Sequence, residues 1–162
     1  MTSICFSESV LEDWPYSNDS AGVSKEANVL NEQKEEIYWD IRNVSSFLEK
    51  KLPLETVYLE ANENGWDGYE AEGVKFATFK YALKFLSLLP SKFEAPEFTP
   101  ESDGEISIEW KKSRQSIFSI SVGCDGRLTY VGFFGQSRTK GVEYLYDEIP
   151  KTILSNIERI LD

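Results

Sequence analysis

From Glu105 to Phe134 the chain alternates apolar and polar residues on both sides of an aspartate-glycine turn, and this pattern restricts the fold tightly. In "EISIEW", Ile106, Ile108 and Trp110 fall on one face, and Glu105, Ser107 and Glu109 on the other. "SIFSISV" groups Phe118, Ile120 and Val122, and "RLTYVGFF" follows the turn around Asp125-Gly126. Period two marks half-buried strands, because successive side chains of a strand point to opposite faces. The turn then selects a register. A two-residue Asp125-Gly126 loop would set Val122 opposite Thr129 and Ile120 opposite Val131. A three-residue loop, Cys124-Asp125-Gly126 with Gly126 left-handed, sets Val122 opposite Leu128 and Ile120 opposite Tyr130. The second arrangement gathers Phe118, Ile120, Val122, Leu128, Tyr130 and Phe134 on a common face. A slip of one residue inverts every side chain, so a buried face selects the three-residue loop.

Upstream the period is helical. Ile37, Ile41, Val44 and Leu48 form a stripe flanked by Tyr38, Phe47 and Leu52, beginning near Glu32 and interrupted at Pro53. "LETVYLEANENG" reads as a second helical piece that stops at Gly65. In "VKFATFKYALKFLSLLP" the stripe is Phe76, Phe79, Leu83 and Leu86 with Ala82 and Leu89, and Pro90 ends it. "SKFEAPEFTPESDG" carries Pro96, Pro100 and Asp103-Gly104 and reads as an extended connector. After the hairpin, "VEYLY" suggests a short fourth strand. "IPKTILSNIERILD" is a helix with Pro150 suited to its first turn and Ile153, Ile157 and Ile160, with Leu154 and Leu161, as its apolar side. The expected fold is α+β: N-terminal helices, a three- to four-stranded antiparallel meander, and a C-terminal helix packed on one sheet face. Residues 1–31 are polar and serine-rich and read as a flexible acidic arm, in which Leu11, Trp14 and Tyr16 offer apolar contacts. Residues 32–162 then form a single domain.

The sequence contains no histidine. Histidine-based triads, histidine-ligated zinc and histidine general bases are thereby excluded. Cys5 and Cys124 are the two cysteines, too few for a disulfide framework or a four-thiolate metal site, and they fit a reducing cytoplasm. The N-terminus lacks the basic and apolar regions of a signal peptide, and no apolar run is long enough to span a membrane. The net charge is −11, and residues 1–36 hold eight acids against Lys25 and Lys34. Such a surface repels nucleic-acid phosphate, so the expected partner is a protein with a basic surface rather than nucleic acid or a membrane. Acidity as a plain aid to solubility is the competing reading.

The stretch "ENGWDGYEAEG", Glu63 to Gly73, poses the functional question. Gly65 and Gly68 permit a sharp reversal, Asp67 can cap nearby amides in an Asx turn, and Trp66 and Tyr69 can clamp the corner against the helices. That structural account needs no ligand. Yet from Leu52 to Val74 there are six acids (Glu55, Glu60, Glu63, Asp67, Glu70 and Glu72) and no Lys or Arg. Glu60, Glu63, Asp67, Tyr69, Glu70 and Glu72 are therefore the candidate partner-binding residues, on a structural corner of Gly65, Trp66 and Gly68. A calcium loop fails on spacing, since a start at Asn62 puts Trp66 at the fifth ligand position. No phosphate loop is present; Gly132 inside a strand reads as a bulge or a close backbone approach. Gln136 to Gly141 holds Arg138 and Lys140 and reads as a solvated basic loop that could steer an anionic partner or pair with the acidic arm. No catalytic residue, cofactor or metal is assigned. Cys124, a lone thiol in a tight turn, is a poor nucleophile.

"GWDGY", a helix ending in "LLP", "DGEISIEW" and "DGRLTYVGFFG" together resemble a group of small bacterial proteins of unknown function. The resemblance covers roughly Leu52 to Leu161 and rests on Gly65, Trp66, Asp67, Gly68, Tyr69, Leu89, Pro90, Asp103, Gly104, Glu109, Trp110, Asp125 and Gly126. Glu70 departs from the small residue usual there, which makes this corner more acidic. The resemblance implies bacterial origin, an intracellular location and association with mobile elements; it transfers no activity. Three functions remain open. The first is a non-enzymatic acidic inhibitor of the immunity, antitoxin or anti-defence type. The second is a ligand-binding or carboxylate-dependent enzyme domain with its pocket near Asp67, Tyr69, Glu109 and Trp110. The third is an accessory subunit docked through exposed aromatics.

Overall fold

A computed structural model describes residues 25–161. The element order is α1 (Lys25–Ala61), α2 (Phe76–Leu88), β1 (Glu97–Pro100), β2 (Ile106–Ser113), β3 (Ser116–Val122), β4 (Arg127–Phe134), β5 (Ser137–Tyr144) and α3 (Lys151–Leu161). The strands form one antiparallel sheet in the order β1-β2-β3-β4-β5. The fold is α+β, as the change of period requires. The sheet has five strands rather than three or four.

The fourth strand expected at "VEYLY" is the end of β5, which starts earlier, at Ser137, and β1 is the strand beyond the expected four. The proline-bearing connector supplies β1, an edge strand in which Glu97 stands opposite Glu109 and Pro100 opposite Ile106. An edge tolerates proline, because a missing amide there need not interrupt the ladder. The basic segment Gln136 to Gly141, read as a solvated loop, lies largely in β5, where Phe133 pairs with Arg138 and Val131 with Lys140. Charged residues on an exposed strand face resemble loop composition, which is why their pattern misleads.

The hairpin register is the one selected by the buried face. Val122 pairs with Leu128 and Ile120 with Tyr130, and Gly126 has φ +81°. Phe118, Ile120, Val122, Leu128 and Tyr130 are buried on the inner face with Ile106, Ile108 and Trp110. α3 closes over them with Ile153, Ile157 and Ile160, and α2 with Phe79, Ala82, Phe85 and Leu86. Phe85, absent from the expected stripe, is fully buried, whereas Phe76 is mostly exposed. Gly132 is in register opposite Phe118 with no bulge; a Cβ there would lie 3.0 Å from the Phe118 ring and 2.7 Å from that of Phe134.

The chain divides into two units, up to Tyr38 and from Trp39 onward. In the first, the described residues 25–38 are helical, so residues 25–31 of the expected arm belong to a helix. Val29, Leu30, Ile37 and Tyr38 are exposed there. Leu11, Trp14 and Tyr16 lie outside the described residues.

α1 also corrects the expected break at Pro53, which sits inside the helix. An interior proline costs roughly 3 kcal/mol through its missing amide and ring clash. Burial of residues on both sides of it offsets that cost: Leu54 and Ala61 are fully buried, and Phe47 and Tyr58 pack against the core. The Tyr58 ring stacks on Phe79 at 4.7 Å.

Candidate functional site

The corner after α1 is built as its sequence suggests, with an exception. Gly65 and Gly68 have φ +75° and +81°. The Asp67 carboxylate accepts hydrogen bonds from the Tyr69 and Ala71 amides at 2.8 and 3.4 Å, which forms the Asx turn. The Gly65 amide donates to the Ala71 carbonyl at 2.8 Å, and the Trp66 indole N–H donates to the Glu72 carbonyl at 3.2 Å. Trp66 packs partly against the core. Tyr69 does not clamp anything: it is 85% exposed. The turn holds its backbone by Asp67, and the side chain points to water.

The corner is then tied to two neighbours. The Gly73 amide donates to Asn64 Oδ1 and the Val74 amide to the Ala61 carbonyl, both at 2.8 Å. Glu72 bridges to Asp103, its amide donating to the Ser102 carbonyl at 2.9 Å. Glu60, Glu63, Asp67, Tyr69, Glu70 and Glu72 are all exposed around this fixed backbone.

The larger feature is α1 itself. From Trp39 onward the helix carries apolar residues on two faces. Phe47, Leu54, Tyr58 and Ala61 serve the core. Ile41, Val44, Leu48, Leu52 and Leu59 share another face at about 100° per residue, and they are 47–71% exposed. The stripe that dominates the sequence thus looks outward, because period alone names an apolar face without saying what covers it. Glu55 interrupts the row and pairs with Lys51 at 3.0 Å, with Glu49 and Glu60 nearby on the helix. Lys50 is buried, and desolvation, only partly countered by Glu49, holds its ammonium pKa below the ordinary lysine value.

No known protein family, curated protein or solved structure matches the chain. Function therefore rests on the chemistry of these surfaces.

Glu109 and Trp110 line a cleft of about 330 Å³ with Glu94, Glu97, Lys111 and Lys112, but Asp67 and Tyr69 are not part of it. Trp110 is buried, and its indole N–H donates to the Glu94 carbonyl at 3.1 Å. The four residues expected to converge do not share that cleft. Just before β2, Glu105 bonds Ser121 and, at 2.6 Å, Arg127. Burial, aided by Asp103 and Glu105, pushes the Glu101 carboxyl above its usual range against the hydroxyls of Ser107 and Ser121. Among the described residues no group of acids and cysteines is placed to hold a metal, and no helix is long and apolar enough to cross a membrane. Cys124 is exposed in the hairpin loop.

Proposed function

We propose that this chain acts by protein binding, as a non-enzymatic blocking or inhibitory protein. Its docking surface is the outer face of α1, continued onto the acidic corner. The observation that carries this reading is the helix with two apolar faces, of which the domain uses one. A contiguous exposed apolar row rimmed by polar residues marks an interaction site. The row from Ile41 to Leu59 fits that description, bordered by Glu49, Glu55, Glu60 and Glu63 and followed by the exposed Tyr69. The complementary partner presents an apolar groove rimmed by Lys and Arg. Acidic rim contacts steer and orient such a partner, while the aliphatic row supplies the affinity. The acidic segment from Leu52 to Val74, free of Lys and Arg, is what suggests an inhibitor of the immunity, antitoxin or anti-defence type.

The test is capture from a lysate of the source organism by three proteins at two salt concentrations. These are the unaltered chain, a Glu60→Lys/Glu63→Lys/Glu70→Lys variant, and a Leu48→Asp/Leu52→Asp variant. All five positions are exposed, so folding is retained. Loss of the same partner by both variants supports the reading. Release by high salt together with loss on charge reversal points to a basic partner. Retention on charge reversal but loss with the aspartates points instead to an accessory subunit held by apolar docking. Equal capture by all three proteins defeats the proposal.

A further inference from the structure

The sheet carries a second surface of opposite character. On the face away from α2 and α3, β4 and β5 turn Val131, Phe133, Val142 and Tyr144 outward, each well exposed. Arg138 and Lys140 stand across from Phe133 and Val131 in the register. The Arg138 guanidinium lies 5.3 Å from the centre of the Phe133 ring. Val131, Phe133, Arg138, Thr139 and Lys140 line a shallow hollow of about 380 Å³. Among the described residues neither cation forms an ion pair. The alternating outward positions of these two strands, Arg127 to Phe133 and Arg138 to Tyr144, hold no acid, in a chain of net charge −11. The neighbouring part of the same face, on β2 and β3, is different: Ser107, Ser119, Ser121 and Glu109 make it polar. Apolar and basic groups are thus concentrated at one end of the open face.

We propose that this strip receives the outer face of α1 from a second copy of the chain, in a head-to-tail contact. The inference rests on α1 being a docking face, as set out above, and gives that face a second occupant, which the basic partner would displace. The two surfaces are complementary in charge: aliphatic residues with Glu49 and Glu60 on α1, where Glu55 is already paired with Lys51, and apolar residues with Arg138 and Lys140 on the strip. Pairing α1 with a second α1 would instead bring two acidic rims together. A helix laid on a sheet face is also the packing this domain already uses on its inner side. The net charge opposes approach, but at ~0.15 M salt that repulsion is screened beyond about 8 Å, farther than the contacts themselves. Because the two patches are different, the contact is heterologous, and association continues past a dimer unless a ring closes.

Sedimentation velocity of the full chain over a wide concentration range, at ~0.15 M salt, tests this. One variant disables the helix face, Leu48→Asp/Leu52→Asp, and another the strip, Lys140→Glu/Val142→Asp; circular dichroism confirms that both fold. The unaltered protein is expected to gain mass with concentration beyond a dimer. Each variant alone should weaken association about tenfold or more and stay monomeric. An equimolar mixture of the two variants should restore a one-to-one pair and nothing larger, since it contains one intact face of each kind. A monomer at every concentration overturns the inference, and so does a mixture that fails to pair. A dimer that survives the strip variant overturns it too, because that dimer joins α1 to α1. If the chain is monomeric while the α1 variants still lose their partner in the capture assay, this inference falls and the docking-face reading stands.

Discussion

Gly73 is where the corner should be most sensitive, and a single methyl group tests whether the turn is fixed by close backbone packing. A Cβ on Gly73 would lie 2.6 Å from the Asn62 carbonyl oxygen and 2.9 Å from the carbonyl carbons of Asn62 and Glu63. All three are backbone atoms at the end of α1, so no side chain can swing away. Gly73→Ala must push the segment off the helix end. That strains the hydrogen bonds from the Gly73 amide to Asn64 Oδ1 and from the Val74 amide to the Ala61 carbonyl. Overpacking costs about 1–3 kcal/mol, and each hydrogen bond opened about 1 kcal/mol. Reduced entropy of the unfolded chain returns roughly 0.4–1 kcal/mol. The expected net loss is about 3 kcal/mol, a large share of a typical domain's 5–15 kcal/mol.

Gly68→Ala supplies the control. Gly68 has φ +81° and no atom within 4 Å of the position its new methyl group would take, so its cost is backbone strain alone. That strain is about 1–2 kcal/mol, of which the unfolded-state effect offsets roughly half. Urea unfolding of the two variants, followed by tryptophan fluorescence and far-ultraviolet circular dichroism, reads the difference. Gly73→Ala should lie about 2 kcal/mol below Gly68→Ala with an unchanged slope in urea. Equal stabilities would refute the close-packed corner.

Two further outcomes follow from the same geometry. Asp67→Ala removes the acceptor of the Tyr69 and Ala71 amides and should destabilise by about 1–2 kcal/mol. Asp67→Asn keeps an oxygen in place and should stay within about 0.5 kcal/mol of the unaltered chain; equal losses in urea would show that charge, not capping, matters. Lys50→Met should stabilise the fold by about 1 kcal/mol near neutral pH by removing a buried ammonium. Since burial lowers the folded-state pKa of Lys50, the unfolded chain binds more protons between that pKa and the ordinary lysine value of 10.5. Stability of the unaltered protein therefore rises with pH through that window, and the gap to Lys50→Met closes. A gap independent of pH in thermal unfolding would rule out the ammonium as its cause.

The hairpin was legible in the sequence to the residue, because alternation and a left-handed glycine constrain each other. The ends of α2 and α3 were legible from Pro90 and Pro150, where chain stiffness acts locally. What escaped were decisions made by tertiary contacts. Pro53 breaks an isolated helix, but Leu54 and Ala61 are buried beyond it and carry the helix through. β1 has four residues, two of them Glu97 and Pro100, and becomes a strand because β2 presents an edge to pair with. At the candidate site, Gly65, Trp66, Asp67 and Gly68 take the roles their chemistry implies, while Tyr69 does not. Aromatic character gave Tyr69 a reason to be buried but no direction in which to point.

That outward Tyr69 matters for the proposed binding. The backbone beneath it is held by Asp67, Trp66 and the link from Glu72 to Ser102, so the corner is ordered before any partner arrives. Association loses roughly 0.5–1.5 kcal/mol for each flexible side chain it must immobilise, and more where loops must be ordered. A tyrosine on a fixed turn avoids the backbone share of that loss and keeps a large amphipathic contact area. The same holds for Leu52 and Leu59, which stand on a helix whose other face is anchored in the core. The acids are arranged differently: Glu60, Glu63 and Glu70 are long, solvated side chains suited to steering rather than to tight contact. On the proposed reading, truncating Tyr69, Leu52 or Leu59 should raise the dissociation rate, whereas reversing the glutamates should slow association and flatten its dependence on salt.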